Sequence, residues 1–199
     1  MIKAVIFDYG GVVKKRHKCI RDIASTYSVS QEIIIQEIRP FIILFQKGLI
    51  TENQFWKGFS SALKKPIPEK KRDLWRRGYE DNFYIYPSII SFIKKLRIQN
   101  IKTAVLSNVI KPHTEIATKH GGYKDFDVVV LSYKVNLLKP DLEIYLLTVK
   151  RLGVKPEECI FIDDRDEHLK PARKLRMKTV LANNPKQVIA DVSRILNPH

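Results

Sequence analysis

Apolar residues along this chain fall into two alternating patterns. Short, mainly apolar runs cover Ile2–Phe7, Ile101–Leu106, Val128–Leu131, Cys159–Ile162 and Met177–Leu181. Runs of this length, each followed at once by Asp, Ser or Ala, read as strands buried on both faces. Between them the apolar positions recur at helical spacing. Pro87-Ser88 opens Ile89–Leu96. Pro112 opens a helix to His120, stopped by Gly121-Gly122, and Pro140-Asp141 opens Leu142–Leu152, stopped by Gly153. Proline at the start and glycine past the end is the usual helix asymmetry. Strands alternating with helices predict an α/β fold, a doubly wound parallel sheet of Rossmann-like form. In such sheets function collects at the carboxyl ends of the strands. Asp8, Ser107 and Asp163-Asp164 all fall there.

Residues 14–86 break the alternation. They read as four helices with no convincing strand. Ser30 caps the second, Thr51-Glu52-Asn53-Gln54 has capping-box spacing for the third, and Pro68 starts the fourth. The expected organisation is a core of residues 1–13 and 87–199 with a helical cap, 14–86, inserted over the active edge of the sheet. Phe45, Trp56, Trp75 and Tyr79 are aromatics of that cap, most of them expected in its own core.

Composition narrows the class. The chain has 199 residues, 44% of them hydrophobic and 29% charged, which fits one globular domain plus an inserted subdomain. Two cysteines, Cys19 and Cys159, are too few for a disulfide framework and fit a reducing compartment. No signal-peptide pattern and no long apolar run is present, so a cytoplasmic location is expected, with no membrane partner. The net charge of +15 invites a nucleic-acid reading. Its distribution argues against one, since residues 14–86 carry +7 and the remainder +8, interleaved with acids. The densest runs, Lys14-Lys15-Arg16 and Lys70-Lys71-Arg72, read as solvated faces. A field of this sign still attracts a phosphorylated small molecule.

Four groups recur at strand ends in order. They are Asp8 with the glycine turn Gly10-Gly11, then Ser107-Asn108, then Lys139 before Pro140, then Asp163-Asp164 followed by Arg165-Asp166-Glu167-His168-Leu169-Lys170-Pro171-Ala172-Arg173. Each is weak alone; together and in this order they are specific. The chain resembles a haloacid dehalogenase-superfamily hydrolase with the cap between the first and second motifs. In particular it resembles the phosphatase domain of soluble epoxide hydrolase and bacterial sugar-phosphate phosphatases, whose last motif also runs Asp-Asp, Asn, Leu-Lys-Pro-Ala-Arg.

The resemblance implies a Mg²⁺-dependent phosphatase acting on a small phosphorylated substrate. Asp8 would attack phosphorus and form an aspartyl-phosphate. Mg²⁺ prefers oxygen ligands, which Asp8, the Gly10 carbonyl and Asp164 would supply, with Asp163 one layer further out. Lys139 would neutralise phosphoryl oxygens and keep Asp8 ionised. Ser107, the amides of Asn108 and the turn amides of residues 9–11, including Gly10 and Gly11, would hold the phosphate.

Gly10 departs from the family pattern. The second residue after the nucleophile is usually an Asp that protonates the leaving oxygen and then activates water. Losing a general acid–base costs roughly 10²–10⁴-fold, most heavily for alkyl phosphates. Good leaving groups are therefore expected in the substrate. His17 follows the first motif and titrates in a suitable range. His168 stands where the family has Asn and is expected to bond Asp164 or to face elsewhere. Arg176 replaces a common Gly. Two alternatives remain open: a non-catalytic or weakly active protein that binds a phosphorylated ligand, and a metal-free 2-haloacid dehalogenase, against which Asp163-Asp164 argue. Oligomeric state is not legible.

Overall fold

The structure is a computed structural model describing residues 1–16, 19–67, 69, 71–81 and 83–197, with the side chains of Lys71, Arg72 and Asp73 excepted. His17, Pro68 and Lys70 lie outside the described residues, and so do the expectations that rest on them. Five strands form one sheet: β1 (Ala4–Phe7), β2 (Lys102–Ser107), β3 (Val128–Leu131), β4 (Cys159–Asp163) and β5 (Lys178–Leu181). Their order is β3-β2-β1-β4-β5 and every pairing is parallel. The inner runs form strands because a strand at the middle of a parallel sheet has no wet face to serve; the edge strand β5 departs from the expected burial on both faces, with Lys178 and Leu181 exposed. β1 lies at the centre, fully buried along its length.

The pleat divides the core in two. Val5, Phe7, Val105, Ile160 and Ile162 pack on one side against α5 (Pro87–Ile98) and α10 (Pro185–Leu196). Ala4, Ile6, Ala104, Leu106 and Phe161 pack on the other against α8 (Leu142–Leu152) and α9 (Asp166–Lys174). This period of two is what a pleated strand imposes. Register then sets the chemistry. Phe7 pairs with Ile162, so Asp8 and Asp163 follow side by side on neighbouring strands.

Four helices intervene between β1 and α5: α1 (Cys19–Tyr27), α2 (Gln31–Gln46), α3 (Glu52–Ala62) and α4 (Lys71–Glu80). The Ser30 hydroxyl accepts from Ile33 N–H at 3.4 Å, and Thr51 with Gln54 forms the full reciprocal capping box. These helices share an aromatic interior. Phe55 stacks on Phe45 and Phe59 at 5.3 and 5.8 Å, and Trp56 meets Trp75 at 5.6 Å. α4 leans on α6 (Lys111–Lys119), the helix that follows β2.

The chain leaves and re-enters the sheet region through a paired neck. Lys15 N–H donates to Tyr84 O at 2.9 Å and Tyr86 N–H to Val13 O at 3.0 Å. Lys14 pairs there with Ile85, so its side chain is fixed between sheet and helices. The expectation that Lys14-Lys15-Arg16 form a solvated face holds for Lys15 and Arg16 and fails for Lys14. Lys14 is 1% exposed, and the Arg16 side chain, though over half exposed, reaches across to Asp164. Among the described residues no helix is long and apolar enough to cross a membrane.

Candidate active site

Lys139 sits at the middle of a buried charge cluster at the carboxyl edge of the sheet. Its Nζ donates to Asp8 Oδ1 at 2.6 Å and to Asp163 Oδ2 at 2.7 Å, and all three side chains are nearly or wholly shielded from water. One ammonium thus serves two carboxylates that adjacent strands force together. Burial pushes the Asp8 carboxyl above its ordinary range, with Lys139 pulling it back and Asp163 pushing it further up. Burial works on Asp163 in the same direction, but Lys139 and His168 outweigh it and hold that carboxyl low. Desolvation alone would lower Lys139; the two carboxylates reverse that and raise it.

Asp163 has little acceptor capacity to spare. Oδ2 also lies 3.0 Å from His168 Nδ1, and Oδ1 accepts from Arg165 N–H at 3.0 Å. His168 is buried, and its carbonyl accepts from Tyr145 Oη at 2.7 Å. Of the two expectations for His168, the bond to Asp164 is not the one found, since its imidazole meets Asp163 instead. As the third residue of α9 it turns its imidazole back onto the strand-end residue Asp163.

Asp164 is the freer of the acidic pair. Its one carboxylate contact among the described residues is Arg16 Nε at 2.5 Å. Oxygen atoms of Asp8, Asp163 and Asp164 lie within 4.8 Å of one another. An all-oxygen set of this density suits a hard dication such as Mg²⁺ or Ca²⁺ and disfavours softer metals. Gly11 is required beside it. Its φ is +99°, and a Cβ there would fall 1.9 Å from Asp164 Oδ2. Its own N–H donates to Lys14 O at 2.6 Å, which engages one of the turn amides expected to hold phosphate. Gly10 is different, because a Cβ at that position meets no heavy atom within 4 Å.

Ser107, at the end of β2, is 4% exposed and lines the same hollow as Asp8. The Asn108 carboxamide is engaged at both ends. Its Nδ2 donates to Lys139 O at 2.8 Å and its Oδ1 accepts from Lys139 N–H at 2.8 Å. That side chain therefore fixes Lys139. The next amide, Val109 N–H, donates to Ser132 Oγ at 2.9 Å.

A cavity of about 440 Å³ opens above these groups, within the range of small-molecule sites. Its walls include Asp8, Gly10, Ser107, Asn108, Asp164 and His168 from the sheet edge, and Trp75 and Tyr79 from α4. Lys14, Arg16 and His113 also line it, and sequence reasoning assigns none of them to the site. His113 stacks face to face on Tyr79 with ring centres 4.0 Å apart. A roomier depression of about 1000 Å³ lies at the amino ends of the strands, near Lys102 and Asp127. It is remote from the clustered carboxylates and at the wrong end of the sheet for this architecture.

Comparison with known proteins agrees with this geometry. The family model for haloacid dehalogenase-like hydrolases matches residues 2–176. A glyceraldehyde 3-phosphate phosphatase from Methanocaldococcus jannaschii is 34% identical over 97 residues, 48% of this chain and 42% of the relative. Mouse acyl-CoA dehydrogenase family member 10 is 29% identical over 98% of this chain, which spans only 19% of that longer protein. This chain thus covers less than half the length of these curated relatives. A HAD family enzyme from Bacteroides thetaiotaomicron, solved in complex with magnesium and inorganic phosphate, superposes with a TM-score of 0.74 at 25% identity, covering 92% of this chain and 95% of that one. The five-stranded parallel sheet, the acidic cluster at its carboxyl edge and the match over residues 2–176 place this chain in the haloacid dehalogenase-like hydrolase family.

Proposed function

We propose that this chain is a Mg²⁺-dependent phosphatase of a small phosphorylated metabolite, working through an aspartyl-phosphate on Asp8. The observation that carries the reading is the buried Lys139 bonded to Asp8, with Asp164 completing the acidic cluster. A buried carboxylate is a nucleophile only if it stays ionised, and Lys139 supplies the charge that keeps it so. Asp8, the Gly10 carbonyl and Asp164 are the groups that would hold Mg²⁺, with Asp163 orienting Lys139 and His168 behind them. Bound there, the ion would offset the repulsion between phosphoryl oxygens and carboxylate.

An Asp8 oxygen forms the new bond to phosphorus while the bond to the leaving oxygen breaks and that oxygen departs with the electron pair. Water then attacks phosphorus, releasing phosphate and regenerating Asp8. Ser107 and the amides of Tyr9, Gly10 and Asn108 would receive phosphoryl oxygens. Gly10 offers no proton to the departing oxygen, so the substrate is one whose leaving group needs little help. Residues 14–86 act as the cap that closes over this edge and selects the substrate. The similarity to a glyceraldehyde 3-phosphate phosphatase and to the Bacteroides enzyme solved with magnesium and phosphate supports the reading.

A second reading draws on Gly10 itself: a protein that binds a phosphorylated ligand and turns it over slowly or not at all. Hydrolysis of an aryl phosphate with and without Mg²⁺, in the native protein and in Asp8→Asn, separates the two. Mg²⁺-dependent turnover that disappears in the variant is expected. Equal background rates in both proteins would leave only the binding reading.

A further inference from the structure

Among the described residues, the cavity wall holds a lysine with no carboxylate partner. Arg16 is paired with Asp164 and Arg165 with Glu167. Lys14 is 1% exposed, yet the one hydrogen bond of its Nζ among the described residues is to Lys15 O, at 2.7 Å. Its other close neighbours are ring faces, Tyr79 at 4.2 Å and Phe83 at 5.4 Å. An ammonium carries three donors, so two are unmet among the described residues. Burying such a group without a counter-charge is costly, and ring faces offset only part of that cost. The nearby Cys19 thiol is pushed up to about 12 by burial and stays neutral. The position is not accidental slack, because backbone pairing of the neck fixes Lys14 where the cap meets the core. Trp75, on the same wall, has an indole N–H that is also buried without an acceptor among the described residues.

These donors describe a second anion site, facing the cavity from the cap side while Asp8 and Ser107 face it from the sheet. We propose that Lys14, aided by Trp75, binds a carboxylate carried by the substrate away from its phosphoryl group, so that the substrate class is small phosphorylated carboxylic acids. A single unpaired ammonium matches one negative charge, which favours a carboxylate over a second phosphate. A cavity of about 440 Å³ accommodates a compact metabolite of this kind. The proposal rests on the phosphatase reading only for the placement of the phosphoryl group beside Asp8.

Binding measured without turnover tests it. Titration calorimetry in Mg²⁺ compares phosphonopropionate with propylphosphonate, which lacks the carboxylate, on the native protein, Lys14→Met and Lys14→Arg. The native protein should prefer phosphonopropionate by roughly 10- to 100-fold, the range of a hydrogen bond to a charged group. Lys14→Met should abolish the preference while leaving propylphosphonate affinity unchanged, and Lys14→Arg should retain part of it. Equal affinity for the two probes in the native protein overturns the proposal whether or not Lys14→Met folds. A preference that survives in folded Lys14→Met, or a loss shared equally by both probes, also overturns it. Absence of aryl phosphate hydrolysis alongside an intact preference would sink the phosphatase reading and leave this one standing.

Discussion

Replacing Gly10 with aspartate is expected to speed the hydrolysis of alkyl phosphates without disturbing the fold. The residue sits two positions after Asp8, on the wall of the cavity. A side chain started there meets no heavy atom within 4 Å, and its backbone is outside the left-handed region that excludes other residues. Removing a glycine also narrows the unfolded ensemble, worth about 0.4–1 kcal/mol where the backbone is compatible. Another carboxylate near Asp8 and Asp164 works against that gain. The net change in stability should therefore stay within about 1 kcal/mol. The catalytic change is larger. A positioned general acid contributes roughly 10²–10⁴-fold, or about 3–5 kcal/mol of barrier. It matters in proportion to the basicity of the leaving oxygen. The assay is kcat/KM for an alkyl phosphate and an aryl phosphate, in the native protein and in Gly10→Asp, once their thermal stabilities are shown to match. The alkyl substrate should gain by at least about tenfold more than the aryl one. Equal gains, or a fall with both in a folded variant, would refute the reasoning. Gly11→Ala is the contrasting control. Its φ of +99° and the 1.9 Å approach to Asp164 predict lost stability and lost metal binding.

Two further outcomes follow from the buried charges. Lys139→Met takes from Asp8 and Asp163 the ammonium they share, which should cost on the order of 3–5 kcal/mol in urea unfolding at pH 7 without metal. Without that ammonium Asp8 titrates still higher in the folded state than in the unfolded chain, so the cost should shrink as pH falls from 7 to 5. The same cost at both pH values would contradict this. Lys14 shows the opposite linkage. Burial lowers it from 10.5 to about 8, so between those values the unfolded chain binds the extra proton and stability rises with pH. Below about pH 8 the fold carries a penalty on the order of 3 kcal/mol, and Lys14→Met should be more stable than the native protein there, with the gain fading towards pH 10. Cys19 and Tyr79, the titratable neighbours, are both pushed up by burial, and their linkage is common to the native protein and the variant, so it cancels in the comparison. A variant less stable at pH 7 would refute the assignment.

The strands are legible because a buried parallel sheet needs nearly continuous apolar runs, and little else in a chain of this composition looks like one. Val128–Leu131 matches its run to the residue, while Ile2–Phe7 loses its first two positions to the entry of the chain into the sheet. The helix predicted from Leu142 to Leu152 is likewise found with those ends, fixed by the left-handed Gly153. Residues that project from strand ends, Asp8, Ser107 and Asp163, are readable because strand ends are. Lys14 is not. Its burial depends on pairing with Ile85 across the whole four-helix insertion, which leaves no local period. Arg16 reaches Asp164 over 148 positions in sequence, and a basic run gives no sign of it. His168 stands out in the sequence as a departure, but its partner does not. The turn between β4 and α9 decides which of two adjacent carboxylates an imidazole meets, and that geometry has no sequence signature.

Nucleophilic attack by Asp8 would leave the phosphoryl group on that residue. Rapid acid quenching of the protein with an aryl phosphate and Mg²⁺, followed by mass spectrometry of the peptide containing residues 1–14, tests it directly. One phosphoryl group should appear on Asp8, depend on Mg²⁺, and be absent from Asp8→Asn. Turnover of the aryl phosphate with no phosphoryl group on that peptide, or with the group on another residue, would contradict the account.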